Sequence, residues 1–306
     1  MALSREQALQ LEEFLSGGKF SHTGAVVTDL DGTVVHEHNG RTVIHSNVEG
    51  PLKHLYEMGR PVILNTLRFP LSVIRSLGKE WYDLARKAIP VILLNGSQLG
   101  FISRVNEELV FEQLHAETLK PEETVTVIRS IDRFLKAGIT DFLLFYYPAD
   151  WKCGEILWTP RVERIPRLEV KYKSAASVVS GSLEELETQL TQHPICMIFL
   201  LIEAPEDKLM AYQHTKKNNF ITHSGVDKAS GTRKMAELLD IDLEHSVGAG
   251  DSEMDNFLKE TGFSIQVGPQ EVRYKGKKQT VHVPDYESLG ELFLKLSAHE
   301  QSNVIT

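Results

Sequence analysis

Short apolar runs and amphipathic stretches alternate through the first hundred residues. Residues 4–16 space their apolar positions as a first helix does. Val26-Val27-Thr28 is a β-branched run bounded by Gly and Asp, which predicts a buried strand over 25–29. Val34-Val35-His36-Glu37-His38 and Arg41-Thr42-Val43-Ile44 flank Asn39-Gly40. Asn-Gly between β-branched arms is a strong hairpin signal, so a flap is expected beside the first strand. A helix over 48–58 closes at Gly59. A second buried strand runs from Pro61 to Thr66, a helix spans 70–88, and a third strand from Pro90 to Leu94 ends in Asn95-Gly96. Strands alternating with helices predict a parallel sheet with crossover helices.

The pattern then changes. Helices are predicted over 121–137, 182–191 and 205–215, and strands over 140–147, 154–159, 168–173, 195–202 and 219–223. This reads as a second α/β unit inserted into the first. A helix over 232–239, a strand from Ser246 to Gly250 and strands over 263–267 and 280–283 complete the first unit. The expected fold class is α/β, a parallel-sheet core of residues 1–112 and 225–306 with an inserted α/β domain over 113–224.

Bulk properties narrow the function classes. The chain has 306 residues and a formal net charge of -9. That charge argues against general nucleic-acid binding, which needs a basic face. Cys153 and Cys196 are the only cysteines and read as free thiols of a reducing compartment. The N-terminal stretch lacks the apolar core of a signal peptide, and the longest apolar run, Ile195 to Ile202, is too short to span a bilayer. A cytoplasmic protein without membrane partners is expected.

The chemistry concentrates at strand ends. Asp29 and Asp31 stand two apart at the carboxyl end of the first strand, where open α/β sheets place ligands. Two carboxylates facing one pocket repel unless a cation lies between them. Such a pair suits a nucleophile, a metal and a second acid/base group. Gly250-Asp251-Ser252-Glu253-Met254-Asp255 is a second acidic cluster after another apolar strand. Alone it could be a helix cap. A calcium loop is excluded at the first cluster, because no Glu stands at the twelfth loop position.

Thr66 and Arg68 follow the second strand, and Lys228 lies upstream of the last acidic strand. Over roughly residues 20–100 and 225–285 this set resembles the haloacid dehalogenase superfamily of phosphotransferases. The insert after the third strand resembles that of subfamily IIB, which includes Cof-like, sucrose-, trehalose- and mannosylglycerate-phosphate phosphatases and phosphomannomutases. The resemblance implies a Rossmann-like core with a cap, and a Mg²⁺-dependent phosphatase acting on a small phosphorylated metabolite, foremost a sugar phosphate. Asp29 would be the nucleophile that forms an aspartyl-phosphate, and Asp31 the general acid and base. Mg²⁺ would be held by Asp29, the Asp31 backbone carbonyl and Asp251. Each charge pair between Asp29 and a phosphate dianion costs ~4 kcal/mol at ~4 Å and an effective dielectric of ~20, which the metal and Lys228 would cancel. Thr66 would bind a phosphate oxygen, and Asp255 would hold Lys228 or a metal-bound water. Gly32, Thr33 and Ser252 would support the site, while Arg68 and Asn95 would contact substrate.

Members of this branch often carry Gly between the Thr and the Arg, where this chain has Leu67. In the insert, Leu168-Glu169-Val170-Lys171-Tyr172-Lys173 resembles a sugar-contacting cap segment of trehalose-phosphate phosphatases. Alternation would put Glu169, Lys171 and Lys173 on one face, as a substrate contact or as a solvated strand. Arg161, Arg164 and Arg167 add positive charge, which suggests a polar, doubly anionic substrate. Tyr146, Tyr147, Trp151 and Trp158 could stack on a sugar but fit better as packing. His36, His38 and His45 fit a solvated flap rather than a metal site. The rivals to hydrolysis are a phosphomutase on the same scaffold and a non-catalytic sugar-phosphate sensor.

Overall fold

The computed structural model describes residues 3–39, 41–202 and 220–304. Strands in chain order are β1 Val26–Thr28, β2 Val35–His38, β3 Arg41–Ile44, β4 Val62–Asn65, β5 Ile89–Leu93, β6 Gln98–Val105, β7 Glu108–Ala116, β8 Phe142–Pro148, β9 Glu155–Thr159, β10 Ala175–Ser180, β11 Ile195–Ile202, β12 Phe220–Thr222, β13 Val247–Gly250, β14 Phe263–Val267 and β15 Gln279–Val283. The helices are α1 Arg5–Leu15, α2 Phe20–Thr23, α3 Ser46–Glu57, α4 Pro70–Val73, α5 Lys79–Ala85, α6 Pro121–Lys136, α7 Ile165–Lys171, α8 Leu183–Gln192, α9 Lys228–Leu239 and α10 Tyr286–Val304. No helix among the described residues is long and apolar enough to cross a membrane.

The first sheet has the order β15-β14-β13-β1-β4-β5-β6-β7. From β15 to β5 it is parallel; β6 and β7 continue it antiparallel. β1, β4, β5 and β13 are buried along their whole length, as continuous apolar runs covered on both faces should be. Thr28 is level with Ala249 on one side and Leu64 on the other. The chain segments after β1, β4 and β13 therefore leave the sheet side by side. After β5, Leu94, Asn95 and Gly96 all have positive φ. A Cβ on Gly96 would lie 2.2 Å from the Asp227 carbonyl, so only glycine lets this turn reach the start of α9.

The second sheet has the order β10-β9-β8-β11-β12. One face packs α6 and α8 through Val127, Ile131, Leu186 and Leu190. The other carries Tyr147, Leu157, Met197 and Phe199 and meets Phe69 and Leu94 from the first sheet's loops. β2 and β3 pair antiparallel, Val35 with Ile44 and His38 with Arg41, as the flap predicted around Asn39.

Several expectations change. Residues 168–173 are not a strand, because Ile165–Lys171 is helical. Pro166 sits in the first turn, where its missing N–H matters least, and Leu168 and Tyr172, four apart, are both buried. The long helix over 70–88 divides into α4, a π-helical stretch at Ile74–Gly78, and α5, which ends at left-handed Arg86. The hairpin β6–β7 and strand β10 carry weak apolar alternation and escaped the pattern. The boundary expected at 112–113 falls inside β7, which remains in the first sheet to Ala116. The helix expected over 205–215 lies outside the described residues.

Candidate active site

β1 ends one residue before Asp29, whose amide donates to the Ala249 carbonyl at 2.9 Å. The strand ladder thus fixes the backbone from which this carboxylate projects. Asp29 is 5 % exposed. Its Oδ1 accepts from Lys228 Nζ at 2.6 Å, and the same ammonium donates to Asp255 Oδ1 at 2.7 Å. Lys228 is the first residue of α9, capped by Asp227. Asn65, at the end of β4, donates to the Lys228 carbonyl at 3.0 Å and to Thr232 Oγ1 at 2.8 Å. The end of β4 therefore grips the helix turn that delivers the lysine.

Asp255 is fully buried. Its Oδ2 accepts from the amides of Asp251 and Ser252 at 3.0 and 2.9 Å and from Ser252 Oγ at 3.1 Å. It shapes the loop after β13 while holding Lys228. Asp251 is turned back toward Asp29, and its Oδ1 accepts from Thr33 Oγ1 at 3.3 Å. Gly32 has φ +84°, and a Cβ there would lie 2.3 Å from Asp251 Oδ2. Glycine at this position leaves room for the opposing carboxylate.

Carboxylate oxygens of Asp29, Asp251 and Asp255 lie within 4.8 Å of one another. Burial, opposed by Lys228 and reinforced by Asp255, Asp251 and Asp31, pushes Asp29 well above the usual carboxylate range. Burial and Asp255 push Asp251 up to about 6. Burial disfavours the charge on Lys228, yet Asp255 and Asp29 outweigh it and hold the ammonium protonated above its ordinary range. Three carboxylates against one ammonium leave two negative charges, and every donor is a hard oxygen. That set fits a small divalent cation. Asp255 already accepts four donors, so Asp29 and Asp251 are the carboxylates free to hold one.

Asp31 belongs to a different network. Both its oxygens are clamped by Arg68, through Nε at 2.8 Å and Nη2 at 2.5 Å. Arg68 is 2 % exposed. It also donates to Ser76 Oγ at 2.6 Å and to Thr42 Oγ1 of the flap at 3.2 Å. Arg68, expected as a substrate contact, here makes a bidentate ion pair that orients Asp31. Thr66 is buried, and its Oγ1 accepts from the Arg68 amide at 3.2 Å. Leu67 has no positive φ and lines the cleft, so the missing glycine causes no strain. Asp29, Asp31, Thr66, Leu67, Lys228, Asp251, Ser252 and Met254 enclose about 90 Å³.

Other candidates lie elsewhere. Asn95 is 5 % exposed, in the turn after β5. Glu169 and Lys173 are exposed on and just beyond α7, and the Lys171 ammonium sits 5.4 Å over the Tyr172 ring. With α7 helical, the alternation that grouped Glu169, Lys171 and Lys173 does not exist. Arg161 pairs with Glu163 at 2.6 Å, and Arg164 pairs with Asp141. Tyr146 and Trp158 pack toward α6 and α8, and Trp151 packs edge-on against Phe111. His36 and His45 lie 5.2 Å apart, and His45 stacks on Tyr286 at 4.7 Å. Tyr286 was not anticipated. Burial, then Asp251, Asp31 and Asp29, raise its phenol. Nothing in the sequence around the start of α10 signals that.

A family model described as haloacid dehalogenase-like hydrolase matches residues 169–282. No curated protein matches the chain. Among solved structures, a phosphatase of the haloalkanoate dehalogenase superfamily from Bacteroides thetaiotaomicron is similar, with a TM-score of 0.62 at 14% identity over 91% of this chain and 96% of that one. A HAD/Cof-like hydrolase from Plasmodium vivax gives 0.66 at 16% identity, over 94% and 98%. A subclass IIB sugar phosphatase gives 0.60 at 18% identity, over 93% and 100%. At these identities the likeness is one of fold.

Proposed function

We propose that the chain, which a haloacid dehalogenase-like hydrolase model matches over residues 169–282 and whose fold is similar to that of phosphatases of that superfamily, is a Mg²⁺-dependent phosphatase of a small phosphorylated metabolite, with a sugar phosphate as its substrate. The observation that carries this reading is Asp29 itself, a buried carboxylate in a phosphate-sized cleft with Lys228 Nζ 2.6 Å from one oxygen. Its free oxygen would attack phosphorus, and the P–O bond to the leaving group would break as an aspartyl-phosphate forms. Lys228 would offset charge on nucleophile and phosphoryl group, and Thr66 would hold a phosphoryl oxygen. Asp31, oriented by Arg68, would give its proton to the leaving oxygen. It would then take a proton from the water that hydrolyses the aspartyl-phosphate. Mg²⁺, held by Asp29, Asp251 and the Asp31 carbonyl, would supply charge neutralisation and alignment. The second sheet and its helices, from about residue 117 to 224, would act as the cap that shields the intermediate from bulk water.

The test is phosphate release across a panel of phosphomonoesters, with and without Mg²⁺, for wild type and Asp29→Asn. The reading requires release that depends on both. Release that survives Asp29→Asn would remove Asp29 as nucleophile, and an isomerised sugar phosphate in place of inorganic phosphate would identify a mutase.

A further inference from the structure

The chain crosses from the first sheet to the second after β7 and returns after β12, and both crossings border one cavity. His115 and Glu117 on the way out and residues 223–226 on the way back line a pocket of about 280 Å³. Ser230, Gly231 and Lys234 of α9 close it from the side of the first sheet. The volume is close to the roughly 300 Å³ at which small-molecule sites begin. The pocket shares no lining residue with the cleft around Asp29.

His115 Nε2 lies 2.8 Å from Glu117 Oε1, and His223 Nδ1 lies 2.9 Å from Glu123 Oε2. Against burial, the Lys120 amide, the His223 ring and the Ser224 amide hold Glu123 below the usual carboxylate range. An ionised carboxylate only accepts, so in each pair the histidine nitrogen donates. As neutral imidazoles, both rings then keep a lone pair on the other nitrogen, His115 Nδ1 and His223 Nε2. Among the described residues neither nitrogen has a hydrogen-bond partner, and neither do Glu117 Oε2, the Ser224 hydroxyl, the Gly225 amide or the Lys234 ammonium. The crossings do not need these groups to hold their shape. The Glu117 amide donates to the Ser97 carbonyl at 2.8 Å, and Thr222 Oγ1 and the Val226 amide close the return turn at 2.8 and 2.9 Å.

We propose that this pocket is an effector site for a zwitterionic α-amino acid, which would join both crossings to the helix that carries Lys228. The open groups sort by chemistry. Glu117 and the two imidazole lone pairs are three acceptors, as many as an ammonium has N–H donors. Lys234, the Ser224 hydroxyl and the Gly225 amide are donors, as a carboxylate requires. Beside neutral imidazoles, the one Glu and the one Lys of the lining cancel in charge. A simple anion would meet Glu117 and a simple cation would meet Lys234, so each suffers a repulsion that a zwitterion avoids.

Isothermal titration of the full chain with each of the twenty standard amino acids, with acetate and with methylammonium tests this. At least one amino acid should bind with a Kd of about 1 mM or below, about tenfold tighter than acetate and methylammonium. Lys234 is exposed and Glu117 half-exposed, so Lys234→Gln and Glu117→Gln should fold normally. Each should weaken binding roughly fivefold, the worth of a partly solvated charged pair. Amide hydrogen exchange at residues 115–119 and 222–226 should slow when the amino acid is bound. Failure of every amino acid to bind at about 10 mM would overturn the site, as would equal binding of acetate or methylammonium. Unchanged affinity in both variants would place the ligand elsewhere and overturn it too, and unchanged exchange at both crossings would overturn the effector role. No phosphate release is read, so the outcome is independent of whether Asp29 acts on a phosphomonoester.

Discussion

Replacing Glu155 by Gln isolates one buried ionisation and gives it a sign. The carboxyl is raised from 4.5 to about 7 in the folded protein. Because the folded value lies above the unfolded one, stability from the protonated group is complete below about pH 4.5 and declines as pH rises through 7. The 2.5-unit gap between 4.5 and about 7, at about 1.4 kcal/mol per pH unit, amounts to about 3 kcal/mol. About 2.5 kcal/mol of that falls between pH 5 and pH 8. Gln keeps the shape, with its oxygen accepting from one of the Tyr147 and Ser174 hydroxyls and its NH2 donating to the other, but it does not titrate. The assay is thermal melting of both proteins at intervals from pH 5 to pH 8. Other titrating groups contribute to both curves, so the difference reports this site. The variant should gain on wild type by roughly 5–10 °C in Tm over that range, at about 2–4 °C per kcal/mol. Parallel curves would refute the reasoning, because they would mean that Glu155 has the same proton affinity folded and unfolded. A variant that falls further behind at pH 8 would mean that the ionised form is stabilised in the fold.

Three further outcomes follow from the site. Arg68→Lys retains a charge but cannot span both Asp31 oxygens while reaching Ser76 and Thr42; kcat should fall by roughly 10² with little change in KM, and steady-state kinetics within twofold of wild type would deny Arg68 its orienting role. Gly32→Ala sets a Cβ 2.3 Å from Asp251 Oδ2, so the Mg²⁺ concentration that half-activates the enzyme should rise at least tenfold in a metal titration. Asp255→Asn leaves Lys228 and the amides of residues 251 and 252 competing for one acceptor; urea unfolding should show a loss of about 3–5 kcal/mol, and a stability unchanged within error would mean that the loop holds its shape without the carboxylate.

The central parallel strands β1, β4, β5 and β13 were legible because each is a short buried run that ends in a polar signal. Asp29, Thr66, Asn95 and Asp251 announce themselves as the residues that follow such runs, and the sheet brings their strands side by side. The hairpin β6–β7 was not legible. It mixes charged and apolar residues without clean alternation, and pairing to β5 rather than local pattern makes it a strand. α7 was misread because Leu168, Val170 and Tyr172 satisfy a period of two as readily as Leu168 and Tyr172 satisfy a helical face. Only tertiary burial distinguishes them: Val170 is 70 % exposed and the other two are buried. Arg68 was found, but its partner was not. A bidentate contact to a residue 37 positions away has no local trace. The contact between Glu155 and Tyr147 escaped for the same reason, since it depends on strand registry within the second sheet.

The acidic segment after β13 admitted two readings in the sequence, a loop cap or a reactive cluster, and Asp255 serves as both. One oxygen organises the amides of residues 251 and 252; the other binds Lys228. The lysine's position makes sense only through that double role. Lys228 opens α9, where the positive end of the helix dipole opposes a cation, and it is 2 % exposed, which opposes any charge. A structural residue would not persist there without Asp29 and Asp255 to offset both penalties. The two carboxylates in turn cannot be neutralised by one ammonium once Asp251 joins them within 4.8 Å. The remaining charge is negative, concentrated at the ends of β1 and β13, and open to the cleft. The fold has gathered more anionic charge than its own cation can balance, and under the proposed function a divalent ion would restore that balance just where a phosphate dianion would otherwise be repelled.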